Sequence, residues 1–208
     1  MIGRIYLPNT IHKKRKTAST SIELWLADQW CGDHCIITPI SPEDERRRKR
    51  KPQNYLWGAT VQDGLKLNFR FYNHMPISEL NGMFTVYFSF TFERHRYEKV
   101  VSQYFYLKPS HPDLTIDTVI NKKMCFNYPL YAHSETNQIL VDKVWRFEEL
   151  EDRLTELSEK LGIKYNGLPK AKTKYRPDVT VDDCLSSDQK DQIYKVHKSE
   201  FDLVHYER

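Results

Sequence analysis

The sequence is poor in glycine and cysteine, and it has no long apolar run. Its 208 residues include seven glycines and four cysteines. A membrane helix needs about 18 or more consecutive apolar residues, and because no such stretch occurs we expect no membrane span. Residues 1–8 are too few and too interrupted by polar side chains to form a secretory signal. We therefore expect a soluble cytoplasmic protein of bacterial or viral type; the alternative is a domain trimmed from a longer protein of the Golgi lumen.

The spacing of the cysteines excludes the common type of structural zinc site. Such a site needs two closely spaced pairs of ligands, but only Cys31 and Cys35 lie near each other in the sequence. A disulfide between these two is the alternative; we predict buried free thiols, because a reducing compartment is expected. Cys125 and Cys184 stand alone. We expect no bound metal.

The composition is that of a folded chain. Hydrophobic residues make up 39% of the sequence and aromatic residues 13%, which is enough for a packed core and unlike a disordered protein. The length suits one domain. Strands that alternate with helices predict an α/β fold with a central parallel sheet flanked by helices.

The net charge of +4 arises from six consecutive basic residues at positions 46–51. A solvated loop over residues 41–54 is the simplest interpretation. The second is that Arg46, Arg47 and Arg48 attract an anionic substrate. No aromatic residues alternate with the basic ones, as they do in many nucleic-acid sites. We therefore expect no nucleic-acid partner.

Hydrophobic periodicity predicts where strands and helices lie. The predicted strands are residues 2–7, 35–40, 84–92 and 139–147. The predicted helices are residues 19–30, residues 97–107, a leucine-striped helix that Gly162 ends, and a last helix that Ser186 and Gln189 cap. Residues 166–181, rich in lysine and proline, are predicted to be irregular.

The segment at residues 15–21 joins the first predicted strand to the first helix. A helix N-terminus leaves backbone N–H groups unpaired and carries partial positive charge, so it binds phosphate or sulfate. Lys16 and nearby hydroxyl groups add donors for such an anion. The alternative is that Thr17 or Ser19 merely caps the helix. A nucleoside-triphosphatase loop is excluded, because it needs glycines and none occurs between Gly3 and Gly32.

This segment also carries a family resemblance. It reads Arg15-Lys16-Thr17-Ala18-Ser19-Thr20-Ser21. It resembles the Pro-Lys-Thr-Ala-(Gly/Ser)-Thr-Ser signature of carbohydrate sulfotransferases that use 3′-phosphoadenosine 5′-phosphosulfate (PAPS), and it is similar to the heparan and uronyl 2-O-sulfotransferase branch. The resemblance implies that these seven residues hold the 5′-phosphosulfate and that Lys16 reaches the leaving oxygen. Arg15 stands where the family has proline.

A second segment resembles the 3′-phosphate site of the same family. That site is an arginine at the end of a strand and a serine in the following helix. Arg94 follows the predicted strand, and Ser102 comes eight residues later in the predicted helix. The resemblance implies that a guanidinium fork and a hydroxyl bind the 3′-phosphate together. Arg96 stands where the family has proline.

Two further segments are similar to the family, and the resemblance spans about residues 5–206. His74, in Asn-His-Met-Pro, resembles the histidine that takes the acceptor proton. The alternative is a packed or solvated histidine, and some relatives use a carboxylate. Other candidate bases are His12, Tyr72 and His95. Residues 166–181, with Lys172, Thr173 and Lys174, resemble a loop that covers the nucleotide; a solvated loop is the equal alternative.

The resemblance implies sulfuryl transfer from PAPS to a hydroxyl of a glycan or glycolipid. If the basic run contacts this acceptor, the acceptor is expected to be anionic. Adenosine 3′,5′-bisphosphate (PAP) leaves, and the reaction needs no metal. Three alternatives stay open. One is a kinase that uses a nucleoside triphosphate and has a similar strand–turn–helix arrangement. The second is a polyanion-binding module built on residues 46–51. The third is a sulfotransferase fold that binds the donor without turnover, because Arg15 and Arg96 replace prolines of the family.

Overall fold

A computed structural model describes residues 17–33, 35–60, 66–80, 88–133, 135–169 and 175–208. The predicted strand at residues 2–7 and the predicted site residues Arg15 and Lys16 lie outside these ranges, as do Lys172, Thr173 and Lys174. Among the described residues, no helix is both long and apolar enough to cross a membrane.

The described residues form a mixed α/β structure with two small sheets. Strands β1 (Leu56–Thr60) and β2 (Lys66–Arg70) pair antiparallel. Strands β3 (Phe90–Glu93) and β4 (Lys143–Arg146) pair parallel, with Phe90 opposite Lys143. The helices are α1 (Ser19–Gln29), α2 (Pro42–Arg47), α3 (Arg96–Leu107), α4 (Ile116–Asn121), α5 (Leu150–Leu161), α6 (Val181–Cys184), α7 (Ser187–Val196) and α8 (Lys198–Val204). Three 3₁₀ turns, at Ile77–Leu80, Tyr128–Leu130 and Phe147–Glu149, complete the described elements.

Helix α1 packs on the parallel sheet and on α5 to form one core. Ile22, Trp25 and Leu26 of α1 lie against Phe92 of β3 and against leucines of α5. The predicted helix at residues 19–30 and the predicted leucine stripe are therefore confirmed. Gly162 ends α5 with a φ of 64°, a left-handed conformation that glycine adopts without strain.

Helices α3, α4, α7 and α8 form a second core around Val100, Val101 and Ile193. The predicted capping box is confirmed, since the Ser186 hydroxyl accepts from the Gln189 amide and the Gln189 side chain accepts from the Ser186 amide. The predicted last helix is divided into α7 and α8, because the chain bends at the buried His197 between them.

Two predictions about residues 35–54 are wrong. Residues 35–40 form no strand apart from a single bridge between Ile37 and Gln53; their apolar character reflects packing, since Cys35 and Ile37 are buried in a small cluster. Residues 42–47, predicted as loop, form α2. Its start has ordinary signals, because the Ser41 hydroxyl caps the amide of Asp44 and proline occupies the first turn.

The central parallel sheet is smaller than predicted. Among residues 88–92, the described part of the predicted strand 84–92, only residues 90–92 are in β3, which then continues to Glu93. Arg94 and His95 connect the end of β3 directly to α3. Ligands of α/β proteins bind at the carboxyl ends of parallel strands, so a ligand site is expected at this connection.

Candidate anion-binding site

The described part of the first predicted phosphate-binding segment runs from Thr17 into α1. Thr17 and Ser21 are buried, and Ser19 is the first helical residue. The N-cap is Ala18, which adopts a left-handed conformation with a φ of 53°. A methyl side chain cannot accept a hydrogen bond from the first-turn amides, and neither Thr17 nor Ser19 occupies the capping position. The conformation costs an alanine about 1 kcal/mol.

Arg94 lies at the carboxyl end of β3 and contacts two groups. Its Nη2 donates to Oε2 of Glu98 at 3.0 Å, and its guanidinium carbon lies 5.0 Å from the centre of the Phe147 ring. A second arginine reaches the same carboxylate, because Arg176 also donates to Glu98 and to the carbonyl of Val179 at 2.8 Å. Two guanidinium groups therefore converge on one anionic side chain. Arg176 was not among the predicted site residues; nothing in its local pattern distinguishes it from a loop arginine.

Ser102 lies one helical turn beyond Glu98 on the same face of α3. The next residue on that face is Tyr106, whose ring centre lies 5.0 Å from that of Tyr175. The segment that contains Tyr175 and Arg176 therefore follows the α3 face that carries Glu98 and Ser102. The structure brings Arg94 and Arg176 together at Glu98, beside the sheet on which α1 packs, and Ser102 lies one turn farther along the same face of α3.

Two guanidinium groups and two carboxylates determine the electrostatics of this corner. Burial raises the pKa of Glu98, but the hydrogen bond and charge of Arg176 and the charge of Arg94 outweigh it and hold that pKa below its ordinary value. Glu98 is thus ionised, and Glu148 is a second carboxylate whose charge acts on Arg94. A guanidinium has five N–H donors in a planar fork, so Arg94 and Arg176 can donate to a phosphate or sulfate while they contact Glu98.

The basic run at residues 46–51 is not one exposed cationic loop. Arg46 is exposed, Arg47 pairs with Glu43 at 3.1 Å, and Arg50 pairs with Asp33 at 3.2 Å. Arg48 is buried and donates from Nη1 to Oε1 of Glu23 on α1 at 2.8 Å. The hypothesis that Arg48 binds an anionic substrate is therefore wrong, because its guanidinium is enclosed and committed to fixing α1.

Replacing Arg48 with methionine is expected to lower the free energy of unfolding by about 3–5 kcal/mol, because Glu23 would remain buried without its cation. The matched change Arg46→Met should alter it by no more than about 0.5 kcal/mol, since Arg46 is exposed. Urea titration of both variants measures the difference. Equal stabilities would contradict the structural role assigned to Arg48.

His74 lies in the turn after β2, half-buried and in a left-handed conformation with a φ of 64°. Its neighbours Phe71 and Met75 belong to a small apolar cluster that is separate from the core of α1 and β3. His74 thus follows β2, whereas Arg94 follows β3.

The other candidate bases are engaged elsewhere or lie outside the described residues, as His12 does. Tyr72 donates to Glu79 at 2.7 Å, and burial together with that hydrogen bond raises its pKa to about 12, so it is a poor base near neutrality. His95 contacts the carbonyl of Glu207 at 3.2 Å, and burial lowers its pKa.

All four cysteines are free; Cys31 and Cys35 are buried, as predicted, and Cys125 is buried as well. In the described ranges, no group of three or more histidine, cysteine or carboxylate side chains is arranged to hold a metal ion. No family model, no curated protein and no solved structure matches this chain. Its function is therefore inferred from its own residues.

Proposed function

We propose that this chain is a sulfotransferase that moves a sulfuryl group from PAPS to a hydroxyl of a carbohydrate. The observation that supports this best is the corner after β3. There Arg94 and Arg176 meet at Glu98, on the α3 face that also carries Ser102. Arg94 and Ser102 are the two residues whose types and spacing resemble a 3′-phosphate site.

The packing of α1 beside this corner also supports a single donor site that binds two anionic groups. Ile22 and Leu26 of α1 pack on Phe92, two residues before Arg94. The N-terminus of α1 would hold the 5′-phosphosulfate through Lys16, Thr17 and the first-turn amides, as helix N-termini hold phosphates. PAPS carries anionic groups at both its 3′ and 5′ positions. ATP has no 3′-phosphate to occupy the Arg94 corner.

The proposed reaction is an in-line displacement at sulfur. The acceptor oxygen forms a bond to sulfur while the bond from sulfur to the 5′-phosphate oxygen breaks. His74 takes the acceptor proton, and Lys16 with the α1 N-terminus stabilises the charge that develops on the leaving oxygen. PAP is the product. The residues contribute orientation and electrostatic stabilisation rather than a covalent intermediate.

The left-handed Ala18 is consistent with this role. Strained backbone persists where the surroundings or a function require it, and here it occurs at an N-cap residue whose side chain makes no capping hydrogen bond. In this proposal the amides of the first turn face the 5′-phosphosulfate. The experiment that tests the proposal is a calorimetric titration of the wild-type chain with PAP and with ATP: preference for PAP supports it, and preference for ATP overturns it.

A further inference from the structure

A group of charged side chains lies in the interior directly behind the Arg94 corner. Glu93, Arg96, Lys99, His197 and Glu200 are each at most 1% exposed. We call these five residues the buried charge cluster. Charged side chains are almost never so completely buried unless they are paired, so each contact among them carries structural information.

Glu93 and the first turn of α3 form one half of the cluster. Oε2 of Glu93 accepts from Nη1 of Arg96 at 2.5 Å and from Nζ of Lys99 at 3.1 Å. Glu93 comes directly before Arg94, and Arg96 and Lys99 follow it. The chain on both sides of Arg94 is therefore fixed by ion pairs.

Glu200 of α8 forms the other half. Its Oε1 accepts from the amides of Asn127 and Tyr128 at 2.9 and 3.1 Å and lies 3.5 Å from Nζ of Lys99. Its Oε2 lies 3.3 Å from Nη1 of Arg96 and 2.6 Å from Nδ1 of His197. One carboxylate therefore joins α8, the segment at Asn127 and the β3–α3 connection.

The charges of the cluster balance, with two carboxylates facing one guanidinium and one ammonium group. Burial alone would raise the pKa of Glu200, but Lys99 and Arg96 outweigh it and hold that pKa far below its ordinary value. Stability alone does not explain such a cluster, because packed hydrophobic residues are often as stabilising as a buried ion pair. Its position around Arg94 offers another reason, which is to fix the orientation of that residue.

We propose that Glu200 is a positioning residue for the proposed 3′-phosphate site. Through Arg96 and Lys99 it holds the β3–α3 connection in the one conformation that presents Arg94 and Ser102 to the same phosphate group. This inference rests on the proposed function, because it needs a 3′-phosphate in that corner. Glu200 itself has no access to the ligand, since its side chain is fully enclosed.

The test compares the affinities of PAP and adenosine 5′-phosphate, which differ only in the 3′-phosphate. Wild type is expected to prefer PAP, and Arg94→Gln, which removes the proposed ligand, should abolish the preference. Glu200→Gln keeps the shape of the side chain and a carbonyl oxygen for the amides of Asn127 and Tyr128. It should reduce the preference for PAP by on the order of tenfold, because a small displacement of a positioned group is costly. The affinity for adenosine 5′-phosphate should not change.

The control is Leu80→Ala. Leu80 is 2% exposed in the cluster beside His74, so this change destabilises the fold without touching the Arg94 corner. All titrations are made at a temperature at which urea unfolding shows every variant to be folded, and Leu80→Ala should retain the preference for PAP. If Glu200→Gln does not fold, the charge-balanced double variant Lys99→Gln with Glu200→Gln replaces it, with the same expected loss.

An unchanged preference in Glu200→Gln, or equal losses for both nucleotides, would overturn the positioning role and leave the proposed function standing. A wild-type chain that binds the two nucleotides equally would overturn both.

Discussion

Replacing Lys16 with alanine is expected to slow sulfuryl transfer about 100-fold or more, which corresponds to about 3 kcal/mol in the activation barrier. Lys16 precedes Thr17 and the left-handed Ala18 at the start of α1. The proposed mechanism assigns its ammonium group to the oxygen that leaves sulfur. Charge on that oxygen grows as the bond breaks, so the lysine stabilises the transition state more than bound PAPS. The turnover rate should therefore fall much more than the affinity for PAP.

The measurement is the initial rate of transfer of labelled sulfuryl groups from PAPS to a polysaccharide on which the wild-type chain is active. Lys13→Ala is the matched control, because it removes the same charge three residues earlier. Its rate should stay close to that of wild type. Equal rates for Lys16→Ala and wild type, or equal losses in Lys16→Ala and Lys13→Ala, would remove Lys16 from the mechanism.

Replacing His74 is expected to reduce the transfer rate by roughly 10²–10⁴-fold, the usual contribution of a general base. The wild-type rate should fall at acid pH as the base becomes protonated, and the variant should lose that dependence. Two substitutions are needed, because His74 has a φ of 64°. Alanine is strained there, whereas asparagine tolerates the left-handed region. His74→Ala and His74→Asn should therefore lose the same activity and differ in stability.

The exposed His111 is the control for this pair, since His111→Ala removes an imidazole from the surface at the end of α3. It should change neither the rate nor its pH dependence. Full activity in His74→Asn would exclude His74 as the base and direct attention to His12 or His95.

Local patterns predicted those elements whose sequence carries its own signals. The leucine stripe of α5 with Gly162, and the capping box of α7, are contained within about one dozen residues each. They need no information from the rest of the chain. The helix that carries Ser102 was predicted in the same way, whereas the shared role of Arg94 and Ser102 comes from the family resemblance and stays a prediction. The start of α2 carries comparable signals in Ser41 and Pro42, but the basic run that follows favoured a loop interpretation.

Long-range pairing could not be predicted from the same patterns. Lys99 and Glu200 are 101 positions apart, and Arg176 and Glu98 are 78 apart. Each of these residues is of a charged type that is usually exposed, so its type alone predicts a position on the surface. Arg48 shows the same effect, since five neighbouring basic residues conceal the one whose partner is the buried Glu23. A charged side chain can be buried when a partner of opposite charge lies beside it. The tertiary fold determines which residue that partner is.

The central claim is that the donor site recognises a nucleotide with anionic groups at both its 3′ and 5′ positions. Calorimetric titration of the wild-type chain with PAP, and separately with ATP in the presence and absence of magnesium, tests it directly. The account predicts one PAP bound per chain, with an affinity more than about tenfold above that for ATP, or about 1.4 kcal/mol. Binding of ATP as tight as that of PAP, or tighter, in either condition would contradict it.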